Sequence, residues 1–229
     1  MSVYKNFFKR LLDFVISLSG IIVLSPFLIA FSIIGYFKMS GNPFFIQPRP
    51  GKDGKIFKLI KFRSMNNKKD EYGNLLPDNL RLTKYGKWIR SSSVDEILEL
   101  FNILKGDMSF VGPRPFLVKD IVFMDDEIKR RHSVRPGLTG LAQVNGRNNM
   151  PWEEKFVYDL EYVDKISFLL DVKIFVKTVL KVTGIIKTSD NEVDISVDYG
   201  DYLLNKNIID KTYYDTKVIE AKEIENNYK

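Results

Sequence analysis

The longest run of hydrophobic residues in the chain covers positions 11–37, close to the N-terminus. Its 27 residues exceed the roughly 20 that a helix needs to cross a bilayer. Ser25 and Pro26 interrupt the run in its middle, where a proline removes a backbone donor and kinks a helix. Basic residues flank both ends, although they favour the cytoplasmic face of a membrane. A re-entrant helix-break-helix, which bends at Ser25-Pro26 and returns to the same face, satisfies both flanks.

Three other arrangements of this run stay open at the level of sequence, and a buried core helix is the least favoured of them because 27 residues is long for one. A straight membrane span fits the pattern if neighbouring groups accommodate the proline kink. A secretory signal peptide has a shorter apolar core and a small-residue cleavage site, which positions 35–39 do not provide. The leading prediction is therefore a re-entrant membrane anchor formed by residues 1–40.

Helical periodicity dominates the remainder of the chain. Apolar residues recur at helical spacing after Ser93, and Gly106 is expected to end that helix. Further helices are predicted at 152–164 and 167–184. The segment 55–65 mixes aliphatic and basic residues, which is typical of a short strand or an interfacial segment.

These elements predict a fold that is mainly α with short β elements (α+β). Residues 41–189 would form one small domain beside the anchor, surrounded by interfacial amphipathic helices. In helix 167–184 lysines recur every four residues among aliphatic ones, which suits either an interfacial helix or an ordinary helix with a solvated face. Residues 190–229 form an acidic extension of unknown role, either helical over 217–226 or disordered.

Composition narrows the chemistry that the chain can perform. It contains no cysteine and a single histidine, His132, which excludes disulfides, thiolate nucleophiles and cysteine or multi-histidine metal sites. Residues 1–189 carry 30 basic and 19 acidic side chains, whereas residues 190–229 carry five lysines and ten acidic side chains. A basic body beside an apolar anchor favours anionic lipid headgroups or a phosphorylated substrate over nucleic acid, for which no motif is present.

Two adjacent carboxylates form the first candidate site. The sequence Ser-Val-Asp-Glu at 93–96 matches a capping box, with Ser93 as N-cap and Glu96 reaching back to the backbone. Asp95 and Glu96 could then simply stabilise a helix start. The functional alternative is that they act on a phosphate bound there, because carboxylates attack phosphorus as nucleophiles and also hold Mg²⁺.

Arginines supply the complementary charges. Arg114 lies between two prolines, which restrict its backbone and suit its guanidinium to bidentate phosphate recognition. The same sequence is also typical of a rigid surface turn. Arg90, Arg135 and Arg147 lie near turns or loops, where they could converge on the same anion or remain solvated surface residues.

Together, the ordered motifs of this chain resemble the bacterial sugar transferases known as monotopic phosphoglycosyl transferases. The resemblance extends from about residue 9 to residue 183. The matching segments are 9–13, 25–26, 44–51, 61–65, 93–96, 106–115, 135–140 and 143–147, together with Asn102.

The resemblance implies transfer of a sugar 1-phosphate from a UDP-sugar to undecaprenyl phosphate, with release of UMP. It implies a ping-pong mechanism in which Asp95 becomes the phosphosugar-carrying nucleophile, with Glu96 as its partner in the dyad. Mg²⁺ is the implied cofactor, and Asp171 is a further candidate metal ligand beside Asp95 and Glu96. Such enzymes initiate the synthesis of capsule, exopolysaccharide, O-antigen or glycoprotein glycans.

Eight basic and polar residues are expected to bind phosphate or substrate by the same resemblance. These are Lys61, Arg63, Arg90, Arg114, Arg135, Gln143, Asn145 and Arg147. The family implies a monotopic protein of the bacterial inner membrane, with its catalytic domain on the cytoplasmic face in contact with lipids and with homo-oligomers possible. A membrane-tethered, non-enzymatic binding protein for anionic lipid or nucleotide-sugar is the alternative, and the sugar itself stays open.

Overall fold

The computed structural model describes residues 3–146, 150–185 and 197–228. Short strands and many helices make up this part of the chain, so the predicted α+β class is confirmed. The helices are α1 (Lys9–Lys38), α2 (Asp78–Arg81), α3 (Lys84–Ser91), α4 (Glu99–Lys105), α5 (Val118–Ile121), α6 (Asp126–Lys129), α7 (Leu141–Asn145), α8 (Trp152–Lys165), α9 (Phe168–Val182), α10 (Tyr199–Asn205) and α11 (Lys211–Asn226). The strands are β1 (Phe44–Pro50), β2 (Ile56–Phe62), β3 (Ser109–Val111) and β4 (Gly137–Thr139).

The long periodic segments are the best predicted. Helices α8 and α9 match the expected 152–164 and 167–184 within two residues at each end. The segment 55–65 contains a true strand, β2, which pairs antiparallel with β1. The acidic extension is helical in its described part, and α11 is longer than predicted.

Helix α1 runs without interruption through Ser25 and Pro26. Pro26 has no N–H to donate to the Ile22 carbonyl, but the Ser25 hydroxyl donates to that carbonyl at 2.8 Å. The side chain therefore replaces the missing backbone donor, as serine does for prolines in membrane helices. The two predicted helices are therefore one continuous helix, whereas a bend at Pro26 and the re-entrant path through a membrane stay predictions.

Helix α1 lies along the body of the protein rather than projecting from it. Near its start, Arg10 donates to the Ile103 carbonyl at 2.6 Å, and near its end the Phe31 ring contacts Trp88 at 5.8 Å. Only four residues of α1 are buried, and most of its large apolar side chains are exposed. The segment Tyr4–Lys38 is long and apolar enough to cross a membrane, so this exposed surface is suited to lipid.

Helix α9 presents a second exposed apolar surface. Its exposed apolar residues recur every three or four positions and are Phe168, Leu169, Val172, Phe175, Val176, Val179 and Val182. Two of its lysines point towards α7, where Lys177 donates to Asn145 and Lys181 to the Gln143 carbonyl. The Phe168 ring contacts Tyr4 at 5.8 Å, which brings this stripe next to the start of α1. The arrangement favours the interfacial interpretation of α9 over a solvated lysine face.

A close crossing of backbone fixes the parallel pair β3–β4. A Cβ atom on Gly137 would lie 2.1 Å from the Gly112 nitrogen, and one on Gly112 would lie 2.5 Å from the Arg135 carbonyl oxygen. Only glycine permits so short an approach. Because Gly112 directly precedes Pro113 and Arg114, this crossing also sets where the Pro-Arg-Pro loop leaves the sheet.

We predict that Gly137→Ala lowers the free energy of unfolding by about 3 kcal/mol, because the new methyl group would clash with backbone that cannot move aside. Chemical denaturation in detergent measures the change. Gly20→Ala is the matched control, since its Cβ would meet only Leu100 at an ordinary 3.4 Å. Equal stability of the two variants would contradict the close backbone contact between Gly137 and Gly112.

Candidate active site

Asp95 and Glu96 lie in a single turn of 3-10 helix, Val94–Glu96, ahead of α4. Ser93 adopts a left-handed conformation with φ of 55°, and its side chain caps nothing. The predicted capping box is therefore wrong, because the Glu96 carboxylate turns away from the helix start to meet two cations. The predicted helix end is confirmed, since Gly106 closes α4 with φ of 98°.

The Glu96 carboxylate accepts two charge-assisted hydrogen bonds through one oxygen. Lys61 Nζ and an Arg114 terminal nitrogen each lie 2.7 Å from Glu96 Oε1. Lys61 also forms an ion pair with Glu99 at 3.0 Å, and Glu99 is almost fully buried. The site thus combines four groups that the sequence places up to 53 residues apart (61 to 114).

Lys61 reaches this position because Asn102 anchors the free edge of β2. The Asn102 side-chain amide donates to the Lys58 carbonyl at 2.8 Å and accepts from the Ile60 N–H at 3.1 Å. One buried amide therefore substitutes for a neighbouring strand and ties β2 to α4. This contact explains why the motif around the dyad includes Asn102.

The two carboxylates of the dyad have different environments. Burial raises the pKa of Glu96, but Arg114 and Lys61 outweigh burial and lower that pKa to about 2. Burial raises the pKa of Asp95, and the neighbouring negative charge of Glu96 raises it further. Asp95 makes no side-chain hydrogen bond or ion pair to any described residue, although Lys61, Arg90 and Arg114 all act on it electrostatically. Its carboxylate is the one left available to react.

Two arginines hold the loop that carries Arg114. Arg131 donates to the Arg114 carbonyl at 2.6 Å, and Arg49 donates to the Pro115 carbonyl at 3.1 Å. Arg131 is itself fixed by a buried ion pair with Asp159 at 2.7 Å. With its backbone held from behind, the Arg114 side chain stays 42% exposed and faces Glu96. It is therefore positioned to exchange a carboxylate partner for a phosphate.

Arg90 approaches the dyad from α3. Its Nε donates to the Ser64 hydroxyl at 2.8 Å, and a Cβ on Gly86 would lie 1.8 Å from the Ser64 carbonyl oxygen, so α3 packs directly on this segment. Arg63, next to Ser64, is half-buried and makes no side-chain hydrogen bond among the described residues. Lys61, Arg90 and Arg114 are thus the predicted cations that the structure brings to Asp95 and Glu96.

Three other predicted site residues bond to groups outside the dyad. Arg135 donates to the Gly106 carbonyl at 2.8 Å, at the opposite end of α4 from the dyad. Gln143 donates to the Leu138 carbonyl and Asn145 accepts from Lys177, so both support the packing of α7. Arg147 lies outside the described residues.

Asp171 belongs to a different cluster. Its two oxygens accept hydrogen bonds from Tyr4 at 2.6 Å, Lys9 at 2.5 Å and Tyr162 at 2.8 Å. These contacts anchor the start of α1 to α8 and α9, and in the described chain none joins Asp171 to the dyad. A structural role therefore accounts for Asp171 without a metal.

The fit of Mg²⁺ rests on Asp95 and Glu96 alone. Among residues 3–146, 150–185 and 197–228, no group of three or more acidic or histidine side chains is arranged to hold a metal ion. Mg²⁺ is commonly bound by one or two carboxylates together with substrate phosphates. The unpaired carboxylate of Asp95 is compatible with that mode of binding.

Three residues of this region are not among those predicted from the sequence. Glu99 could have been noticed, because it follows Glu96 by three residues and so shares its helical face. Arg131 and Asp159 carry no local signal, since they are 28 residues apart and meet only in the folded chain.

Comparisons with known proteins identify the family to which the chain belongs. The model of the family described as "Bacterial sugar transferase" matches residues 4–184. The uncharacterized sugar transferase EpsL of Bacillus subtilis is 49% identical over 174 residues, which cover 76% of this chain and 86% of that protein. The chain belongs to the bacterial sugar transferase family.

Two longer relatives have more informative names. The UDP-glucose:undecaprenyl-phosphate glucose-1-phosphate transferase of Klebsiella pneumoniae is 40% identical over 184 residues, covering 76% of this chain and 40% of that protein. The UDP-N-acetylgalactosamine-undecaprenyl-phosphate N-acetylgalactosaminephosphotransferase of Aeromonas hydrophila is 35% identical over 181 residues, covering 76% and 43%. The chain thus spans less than half the length of these two relatives.

We predict that Arg131→Met lowers the free energy of unfolding by about 3–5 kcal/mol, because Asp159 would stay buried without its cation. Urea unfolding in detergent measures this loss. The double variant Arg131→Met/Asp159→Leu should recover most of the stability, since neither charge remains buried, but not the hydrogen bond to the Arg114 carbonyl. A stable single variant would contradict the assigned ion pair.

Proposed function

We propose that this protein transfers a sugar 1-phosphate from a UDP-sugar to undecaprenyl phosphate and releases UMP. The observation that carries the proposal is the asymmetry of the dyad: Glu96 is paired with Lys61 and Arg114, whereas the adjacent Asp95 is unpaired in the described chain. A free carboxylate beside two cations suits nucleophilic attack on a phosphate whose charge those cations neutralise.

The reaction would proceed in two displacements. In the first, an Asp95 oxygen attacks the sugar-proximal phosphorus, the bond to the bridging oxygen breaks, and UMP leaves with the electron pair. In the second, an oxygen of the lipid phosphate attacks the same phosphorus and returns the carboxylate of Asp95. Arg114 and Lys61 balance the charge of the donor diphosphate, and bound Mg²⁺ would supply further charge neutralisation at the carboxylates.

Membrane association follows from the exposed apolar surfaces of α1 and α9. Both ends of α1 contact the same body: Lys9 pairs with Asp171, and a Cβ on Gly35 would lie 2.9 Å from Pro43. A helix held at both ends by one domain is suited to a monotopic arrangement, in which both flanks stay on the cytoplasmic face of the inner membrane. The dyad would then lie close to the headgroups, where the lipid phosphate is found.

We expect donor labelled at the sugar-proximal phosphate to label Asp95 covalently when no lipid acceptor is present. Mass spectrometry of the peptide carrying Asp95 locates the adduct, with UDP-glucose, UDP-galactose and UDP-N-acetylgalactosamine tried in parallel. Asp95→Asn should abolish both the adduct and UMP release, whereas Asp126→Asn, a fully exposed carboxylate, should leave them unchanged.

Retention of the adduct in Asp95→Asn would refute the nucleophile. A non-enzymatic binding protein for nucleotide-sugar is the alternative. It would bind donor in both forms and release no UMP from either.

We expect a cysteine introduced at Ser2 to react with an impermeant thiol reagent from the same side of the membrane as one introduced at Tyr72. Tyr72 is 89% exposed on the body. The natural chain contains no cysteine, so each introduced cysteine is the only thiol in its variant. Inverted and right-side-out vesicles distinguish the two faces. Labelling of the two positions from opposite faces would establish a straight span and exclude the monotopic arrangement.

A further inference from the structure

The C-terminal segment, residues 197–228, lies outside the part of the chain that the family model matches. It nevertheless packs directly behind the loop that carries Arg114. The ring of Phe116, two residues after Arg114, contacts Trp152 with 4.8 Å between ring centroids. Trp152 in turn contacts Tyr199 of α10 at 5.1 Å. Two aromatic contacts therefore connect the Arg114 loop to the C-terminal segment.

A buried carboxylate makes a second connection. Asp120 Oδ2 accepts the N–H of Leu117 at 2.9 Å, and Asp120 Oδ1 accepts the N–H of Tyr199 at 2.9 Å. Asp120 is only 2% exposed, so both backbone donors depend on it for their hydrogen bonds. One side chain thus ties the backbone three residues beyond Arg114 to the first turn of α10.

The segment packs closely against the body around Gly200. A Cβ atom on Gly200 would lie 2.4 Å from the Phe123 ring, and Phe123 stacks on Tyr214 of α11 with centroids 5.7 Å apart. The Trp152 indole also donates to the Val197 carbonyl at 3.2 Å. Leu203 and Ala221 complete this core, to which α5, α8, α10 and α11 all contribute.

We propose that the C-terminal segment is a positioning element for Arg114. Arg131 stacks on the Phe116 ring at 4.0 Å and also donates to the Arg114 carbonyl, so the aromatic packing behind the loop supports the hydrogen bond that holds the loop. The C-terminal segment covers the outer side of this aromatic packing through Tyr199. It makes no described contact with Asp95 or Glu96, and it acts on donor affinity by fixing where the Arg114 guanidinium meets the diphosphate. The inference rests on the proposed function for its substrate.

The test uses Gly200→Ala in the full chain, since the added methyl group would push α10 away from Phe123. We expect the KM for the UDP-sugar to rise by roughly tenfold with little change in kcat, because the loop that binds donor is displaced. Loss of folded protein alone would lower the apparent kcat and leave KM unchanged. Asn205→Ala, an exposed position on the same helix, is the matched control.

A double-mutant cycle tests whether the effect passes through Arg114. In an Arg114→Lys background, Gly200→Ala should change KM far less than in the wild type, because lysine lacks the planar guanidinium that the segment positions. An equal effect in both backgrounds would overturn the proposal. Leu203→Ala, which leaves a cavity instead of a clash, replaces Gly200→Ala if that variant does not fold.

Hydrogen exchange gives a readout that needs no turnover. Gly200→Ala should speed exchange of the Leu117 amide, which Asp120 holds, and Asn205→Ala should not. If the wild type releases no UMP from any UDP-sugar, the proposed function fails while this coupling can still be observed. Unchanged exchange at Leu117 together with unchanged KM would overturn the positioning role.

Discussion

The carboxylate of Glu96 accepts hydrogen bonds from Lys61 and Arg114, and these two ion pairs join three separate stretches of chain. Burying such charges costs free energy that the pairing only partly returns. The cost is offset because every participant is held by its own scaffold: Lys61 by the strand that Asn102 anchors, Arg114 by the loop that Arg131 holds. Without that convergence, the dyad would be two acidic residues on a short exposed turn. The site is therefore a product of tertiary structure, although its residues are recognisable in sequence.

That distinction explains what the sequence could predict and what it could not. The periodicity of α8 and α9 and the stop at Gly106 are local, and the structure agrees with them. The capping box at Ser93 is also a local rule, but the cations facing Glu96 offer stronger bonds than the backbone does. At Pro26 the expected break is absent, because a serine hydroxyl satisfies the freed carbonyl. Both errors arise where a side chain finds a partner that spacing along the chain does not reveal.

The two exposed apolar surfaces complement this polar site. The residues of α1 that face the body include Asp13, whose carboxylate accepts from the Ser109 hydroxyl and the Phe110 N–H, so even the apolar helix is fixed to β3 by polar bonds. Its opposite surface is apolar and exposed, and the apolar stripe on α9 adjoins it through Tyr4 and Phe168. Helix α1 and the body are therefore one packed unit, and this packing fixes the position of the dyad relative to the exposed apolar surface of α1.

The division of labour between neighbouring carboxylates follows from the same architecture. Two adjacent acids with equal surroundings would compete for the same cations and raise each other's pKa. Here the cations pair with Glu96 and lower its pKa, so Glu96 remains ionised and acts as a fixed negative charge. That charge and burial raise the pKa of Asp95 and leave its oxygens more basic. Environments that separate the pKa values of paired acids commonly assign them different roles. The arrangement therefore supports the proposed roles, with Asp95 as the nucleophile and Glu96 as the partner that holds Lys61 and Arg114.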